Sequence, residues 1–344
     1  MSSIKEIAEI TGLSPATVSH AINGTRGVSK KSRELVEKAV RETGYIPNLA
    51  AQMLKTNKSH IIALILPTIE VSPESCPYGN SIFFELLNGA REHLSQNGYE
   101  LLVVSYSEMK MKQHMEGIAI LDRKLVDGVL VVPFSRSEDA LQDLRKLDLP
   151  MVLSDRRVDG SDLPMVYADN YEGCKQLIRL LIKQGHKRIA FLGGSLETSV
   201  GYDRWRGYLD VLEELGFPKD KDLIRVIDKV ELSAGSNATG ELIDNGADAI
   251  CISNHVLMLG SLSYCNQRGL KIPEDIAIVG TDNYDWMHVL PSPITTTTQN
   301  NYTIGEKSAE MLLRLLNGED VSGQKYILPC RIILGSSHLG RNRE

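Results

Sequence analysis

The sequence predicts two architectures in series: an all-α headpiece carrying a helix-turn-helix and a hinge helix, then an α/β core of two doubly wound parallel-sheet lobes. Three observations carry this. Ser3–Asn23 reads as two short helices broken at Thr11-Gly12-Leu13. From Ile61 onward, short apolar runs alternate with helical segments, which is the pattern of a parallel sheet covered on both faces. That alternation then begins a second time. A chain of 344 residues with 42% apolar content is long enough for two or three globular domains.

The first helix opens at Ser3, which has the capping-box spacing to Glu6, and Ile4, Ile7 and Ala8 share one face. Gly12 supplies the backbone freedom of the turn. Ser14-Pro15 restarts a helix with a cap followed by proline at its first position. Val18 and Ile22 give this second helix its buried face, and Ala16, Thr17, Ser19, His20 and Asn23 its other face. Small and hydrogen-bonding groups of this kind suit base edges and phosphates. A surface helical hairpin would have the same local pattern, so the next forty residues decide. Ser29–Ser32 opens a third helix whose Leu35, Val36, Ala39 and Val40 can close a three-helix core, with Gly44 placed to end it. Tyr45–Lys55 then describes a short helix striped by Leu49, Ala50, Met53 and Leu54, too short to be stable without a partner surface.

Charge follows the same division. Residues 1–60 hold nine Lys and Arg against five Glu, leaving 29 basic against 39 acidic residues in the rest of a chain of net charge −6. Phosphate attraction is concentrated at one end. No apolar run approaches the ~20 residues needed to span a bilayer, and the N-terminus lacks the apolar stretch of a signal peptide. A soluble cytoplasmic protein with no membrane partner is expected. Cys76, Cys174, Cys251, Cys265 and Cys330 show no C-x-x-C spacing, so they read as reduced, partly buried thiols rather than as metal ligands or a disulfide framework.

A-T-V-S-H-A-I-N-G (Ala16–Gly24) followed by G-Y-I-P-N-L-A-A-Q-M-L (Gly44–Leu54) resembles the headpiece and hinge of the lactose-repressor (LacI/GalR) family of bacterial transcription regulators. The resemblance implies a recognition helix in the major groove and two hinge helices, one from each protomer of a homodimer, meeting in the minor groove. Leu54 falls where the family places a leucine wedge, which kinks DNA at a cost of roughly a few kcal/mol for unstacking. Base-edge roles are expected for Ala16, Thr17 and His20, with Pro15 and Ser19 beside them. Arg26 is open between base edge and phosphate. Phosphate roles are expected for Ser14, Asn23, Ser29, Tyr45 and Asn48, and hinge contacts for Ala51, Leu54 and Lys55. The expected operator is palindromic double-stranded DNA with a flexible pyrimidine–purine step at its centre.

In the core, Ile61–Leu66, Glu100–Val104, Val129–Pro133 and Met151–Leu153 read as strands, with helices at Ser81–Gln96, Met109–Lys124 and Glu138–Leu147. The second cycle has strands at Ile189–Leu192, Leu223–Val226, Ala249–Ile252 and Ile276–Val279, separated by helices near Glu172–Lys183, Trp205–Leu215, Gly235–Asn245 and Val256–Arg268. The resemblance continues in Gln184–Gly194, Arg204–Tyr208, Pro273–Asp282 and Pro293–Gln299, and implies a core similar to periplasmic sugar-binding proteins. Such cores cross between lobes three times, here near 165–169, 294–299 and 326–330. The expected domains are a headpiece at 1–46, a hinge helix and linker at 47–59, and an effector-binding and dimerisation core at 60–344. Within that core the N-lobe spans about 60–166 and 297–327, and the C-lobe about 167–296 and 328–344.

Open α/β sheets bind ligands beyond the carboxyl ends of their strands. Asp155, Asn254 and Asp282 each follow an apolar run, and Arg204 opens the helix after Phe191–Gly194. Carboxylates and a guanidinium make directional bonds that suit neighbouring hydroxyls. For Asp155 and Asn254 a helix-capping role is equally open. By resemblance Asp155, Arg204, Asn254, Asp282 and Gln299 fall on effector-contacting positions, and Phe83 where members carry an aromatic platform. There are three departures from the family. His255 stands where Asp is common, Val71–Gly79 reads as an insertion, and Thr198 and Val200 replace the basic and hydroxyl groups of purine-responsive members. A sugar or sugar phosphate is therefore the expected effector.

Two other classes make distinct demands. An α/β enzyme acting on sugars or nucleotides needs a phosphate loop or a catalytic constellation, and the chain has no G-x-x-x-x-G-K-[ST], G-x-G-x-x-G or G-x-S-x-G and no metal-ligand cluster among its eight histidines. No catalytic residue, metal or cofactor is expected. A regulator recruited by a phosphoprotein co-regulator, as in the family's global catabolite regulator, has no direct sign in the sequence. The tail after Gly335 has no leucine heptad, which argues against a tetramer built by a coiled coil.

Overall fold

The computed structural model describes residues 3–22, 27–45, 58–67, 81–106 and 125–340, with no side-chain description at 81, 82 and 106. Asn23, Arg26, Asn48, Ala51, Leu54 and Lys55, the hinge helix, the helix expected at Met109–Lys124 and the Val71–Gly79 segment lie outside the described residues. Two compact units are present, Met1–Ser59 and His60–Glu344.

Among its described residues the first unit holds three helices, α1 (Ile4–Thr11), α2 (Pro15–Ile22) and α3 (Lys30–Thr43). Each starts on a serine. Ser3 Oγ accepts from the Glu6 amide at 3.3 Å, Ser14 Oγ from Thr17 at 3.1 Å and Ser29 Oγ from Ser32 at 3.1 Å. Such caps satisfy amides that the first turn leaves free, worth about 1 kcal/mol each. α1 and α3 end on Gly12 and Gly44 at φ 67° and 62°, a left-handed conformation that glycine adopts without a Cβ penalty. Ile7, Ala8, Val18, Ala21, Val36, Ala39 and Tyr45 form the core. Two expectations are corrected. Leu35 is 42% exposed, because one step of 100° carries it off the stripe of Val36 and Ala39. Ala21 rather than Ile22 takes the innermost place on α2, with Ile22 only partly buried.

In the second unit, β1 (Ile61–Pro67), β2 (Glu100–Tyr106), β3 (Gly128–Val131), β4 (Met151–Asp155), β5 (Met165–Ala168) and β11 (Lys325–Leu328) form one sheet. Its order is β11-β5-β4-β3-β1-β2, and every pairing is parallel. The second sheet runs β12-β10-β9-β8-β6-β7, from β6 (Ile189–Gly194), β7 (Ile224–Ile227), β8 (Ala249–Ile252), β9 (Ala277–Thr281), β10 (Thr295–Thr298) and β12 (Arg331–Ile333). Here the edge strand β12 is antiparallel to β10. The continuous apolar runs have a direct cause. In β1, Ile62, Leu64 and Leu66 enter one core and Ala63 and Ile65 the other, and β8 divides Ile250 and Ile252 from Ala249 and Cys251 in the same way. A strand buried on both faces has no polar face to alternate with.

Helices α4 (Ser81–Gln96), α5 (Asn170–Lys183), α6 (Ser199–Glu214), α7 (Leu232–Asp244), α8 (His255–Arg268) and α9 (Asn301–Leu316) cover the sheets. The segment expected as one helix over Glu138–Leu147 is instead a 3₁₀ turn, Glu138–Leu141, running into a short helix, Gln142–Arg145. The segments expected as crossings are themselves mostly strand, as β5, β10 and β11, and the chain changes sheet between β5 and β6, between β10 and β11 and between β11 and β12. α9 packs on α4 against the first sheet. Its approach is closest at two glycines: a Cβ on Gly89 would strike the Tyr302 carbonyl, and one on Gly305 the Leu86 carbonyl. This backbone-to-backbone contact sets where the first turns of both helices lie.

Candidate functional site

The two sheets present matching ends to one cleft. Asp155 closes β4 and Asp282 follows β9, the strands third from the edge in their respective sheets. Both aspartates are buried and both adopt left-handed backbone, φ 68° and 67°. That conformation is uncommon outside glycine and costs of order 1 kcal/mol, so its repetition at equivalent strand ends marks them as a pair. Burial pushes the Asp155 carboxyl above its usual range; the Arg156 guanidinium opposes this, the Asp282 charge adds to it and Arg204 counters it. Arg156 Nε stands 3.5 Å from Asp155 Oδ2.

Arg204, on α6, is 4% exposed. Its Nε donates to Asn170 Oδ1 at 2.8 Å, its Nη1 to the Ser253 carbonyl at 2.7 Å and its Nη2 to Asp282 Oδ1 at 3.1 Å. Gln299, just after β10, donates through Nε2 to Asp282 Oδ1 at 2.6 Å, and its Oε1 accepts from Asn170 Nδ2 at 3.2 Å. Arg204, Asp282, Gln299 and Asn170 therefore close a ring of hydrogen bonds. A buried charge is tolerated only when paired and bonded in this manner. The ring brings together three residues marked in the sequence and adds Asn170. The available signal was Asp169-Asn170: Asp169 already caps α5, accepting from the Glu172 amide at 2.9 Å, so a second capping-type residue was surplus.

Asn254 caps α8, its Oδ1 accepting from the Val256 and Leu257 amides at 2.8 and 3.3 Å. Phe83 packs against the core of the first lobe. The cleft is lined by Glu85, with Asp282, Asn283, Tyr284, Thr298, Gln299 and Asn301 as its other walls. Glu85 lies two residues on, some 200° around the helix. Thr198 caps α6 through a 3.1 Å bond from the Gly201 amide. His255 is buried, its ring centroid 4.9 Å from that of Tyr284. Burial holds its imidazole below the ordinary range; the Asp282 charge opposes this and Arg204 reinforces it.

The cleft encloses about 40 Å³, far below the ~300 Å³ of a small-molecule pocket. A latch holds it at one side. Arg157 Nη2 and Nε donate to Asp203 Oδ1 and Oδ2 at 2.6 and 3.2 Å, and the Arg157 amide to Ser199 Oγ at 3.1 Å. Beside it, the Arg136 amide and Nε donate to the Glu197 and Leu196 carbonyls at 2.7 and 3.2 Å.

In the headpiece Ser14, Pro15, Ala16 and His20 are exposed along α2, while Thr17 and Ser19 are half-buried. Ser14 and Thr17 also bond each other through their hydroxyls at 2.9 Å. Ser29 is exposed at the start of α3. The Tyr45 side chain packs into the headpiece core. Aromatic area is too valuable to a three-helix core of this size to be left in water.

Comparison with known proteins accounts for both units. Residues 3–48 match the sequence model of the bacterial regulatory proteins of the lacI family, and residues 178–338 that of the periplasmic binding protein-like domain. Over 340 residues the chain is 32% identical to the HTH-type transcriptional repressor CytR of Escherichia coli K12, covering 97% of this chain and 95% of that protein. The chain belongs to the lacI family of bacterial regulatory proteins. It is a ligand-controlled, DNA-binding regulator of transcription and not an enzyme. Among solved structures, the transcriptional regulator CelR in complex with cellobiose is 26% identical with a TM-score of 0.72, covering 98% of this chain and 100% of that one. The Lac repressor dimer bound to operator and the anti-inducer ONPF shares the fold, with a TM-score of 0.82 at 22% identity over 98% of this chain and 99% of that one.

Proposed function

We propose that this lacI-family regulator is a homodimeric repressor of carbohydrate-use genes whose effector, a sugar or sugar phosphate, binds between the two core lobes. The observation that carries the reading is the closed ring of Arg204, Asp282, Gln299 and Asn170 at the strand ends, facing Asp155 of the other lobe. Directional acceptors and donors held rigid in advance suit vicinal hydroxyls, which apolar packing does not discriminate. CelR, 26% identical, is described with cellobiose, which supports a carbohydrate.

In this reading residues 1–46 are the headpiece, 47–59 the hinge and 60–344 the core. Ala16, Thr17 and His20 read base edges, Ser14 and Ser29 hold phosphates, and Leu54 enters the central step of a palindromic operator. A dimer is required because one short recognition helix reads too few bases. The protein acts in the cytoplasm on the nucleoid. Closure of the lobes alters the spacing of the two hinge segments and with it operator affinity. The effector drives this change only to the extent that it binds the closed and open states unequally.

Thermal unfolding against sugars and sugar phosphates, with purines as controls, tests the effector class. A compound that binds only the folded state adds roughly 2.7 kcal/mol at a hundred times its dissociation constant. A sugar or sugar phosphate that raises the midpoint and loses its effect in Arg204→Ala is expected. Silence from all of them with a shift from a purine overturns the carbohydrate reading.

A further inference from the structure

We infer that Glu85 and Asn301 form a second, acceptor subsite in this cleft, which takes hydrogen-bond donors of an uncharged effector and excludes phosphorylated ones. The inference rests on the reading of the cleft as the effector site and decides between the two ligand classes left open there.

Asn301, the first residue of α9, is 7% exposed and lines the cleft, and its Oδ1 is buried with no hydrogen-bond partner. A buried acceptor left unpaired is costly, and native structures seldom keep one without a use. Glu85 lines the same cleft from α4 and stands exposed at its mouth. The two are held in register by the glycine contacts of α4 and α9 at Gly89 and Gly305, so the subsite is built on rigid elements. Asn301 Oδ1 can only accept, and a carboxylate can only accept.

Charge points the same way. Two of the residues lining the cleft, Glu85 and Asp282, are acidic, and the cations beside it, Arg204 and Arg156, are paired with Asp282 and Asp155. Arg204 spends three of its five N–H donors on Asn170, the Ser253 carbonyl and Asp282, and its charge is offset by Asp282. One N–H of Gln299 Nε2 likewise goes to Asp282. A phosphate brings close to two negative charges to a cleft whose two charged lining residues are carboxylates. A sugar hydroxyl or amine donates to the same atoms without repulsion.

The test is calorimetry on the full-length protein with matched pairs: glucose and glucose 6-phosphate, ribose and ribose 5-phosphate, cellobiose and its 6′-phosphate. In the pair that binds, the unphosphorylated member is expected to be tighter by on the order of 100-fold. Glu85→Gln should narrow that gap about tenfold by removing one charge. Asn301→Leu should weaken the sugar roughly 10- to 100-fold, and Asn301→Ala serves if leucine unfolds the protein. A phosphate that binds as tightly as its parent sugar, or a gap that Glu85→Gln leaves unchanged, overturns the subsite. Binding that Arg204→Ala abolishes but both Asn301 variants leave intact also overturns it and spares the cleft reading. Binding that neither Arg204→Ala nor Asp282→Ala affects overturns the cleft reading itself.

Discussion

Replacing Arg204 with alanine tests the ring at its most constrained member. The substitution removes the guanidinium from Asp282, Asn170 and the Ser253 carbonyl together. Asp282 stays buried with Gln299 as its remaining partner in the ring, and the Asp155 carboxyl of the facing lobe acts on the same cleft. Removing one partner of a buried ion pair costs about 3–5 kcal/mol, because the other charge is left uncompensated. At ~2–3 °C per kcal/mol for a large domain, the core should unfold roughly 6–15 °C lower. Both tryptophans of the chain, Trp205 and Trp286, pack in the second lobe, so intrinsic fluorescence reads the transition there. Adding Asp282→Asn to Arg204→Ala removes the stranded charge and should recover more than half of the loss. A midpoint within 2 °C of wild type, or no recovery in the double variant, would refute the assignment of Arg204 and Asp282 as a mutually dependent pair.

Further outcomes follow from other contacts. The Arg157–Asp203 latch is mostly buried, at 21% and 16% side-chain exposure. Arg157→Ala and Asp203→Ala should each lower effector affinity up to about tenfold, with the double variant no worse than the single ones, as a double-mutant cycle by calorimetry will show. Additive losses would mean that the two side chains act separately. His255 has a lowered folded-state value, so its contribution to stability is complete above about pH 6.5 and is lost as pH falls through that lowered value. Melting midpoints should therefore drop more between pH 7 and 5 in wild type than in His255→Gln, and parallel pH profiles would exclude the histidine. The buried His338 imidazole is depressed in the same direction, and it cancels in that comparison. His20→Ala should relax preference at one operator position by about 1–3 kcal/mol while leaving affinity for random DNA unchanged. Equal losses on both would make it a phosphate contact. Gly305→Ala, whose Cβ would strike the Leu86 carbonyl, should cost about 1–3 kcal/mol by forcing α4 and α9 apart, and an unshifted melting midpoint would exclude that contact.

Local patterns in the sequence determined the headpiece and most of the two sheets. Serine caps, Gly12 and Gly44 are short-range devices, and each works through neighbours three or four residues away. Doubly buried strands announce themselves because both faces must be apolar. The strands missed in the sequence were short or hydroxyl-rich, such as Thr295–Thr298, whose β-branched side chains were the one available signal. Tertiary structure alone decided which polar residues share a site. Arg204, Asp282 and Gln299 were legible as strand-end groups or by resemblance. Asn170 lies 34 residues from Arg204 and 129 from Gln299, and no local pattern encodes a hydrogen bond across that distance. The same holds for Phe83 and Glu85: periodicity places them on different faces of one helix, but only the packing of α4 on α9 determines which face meets the core and which meets the cleft.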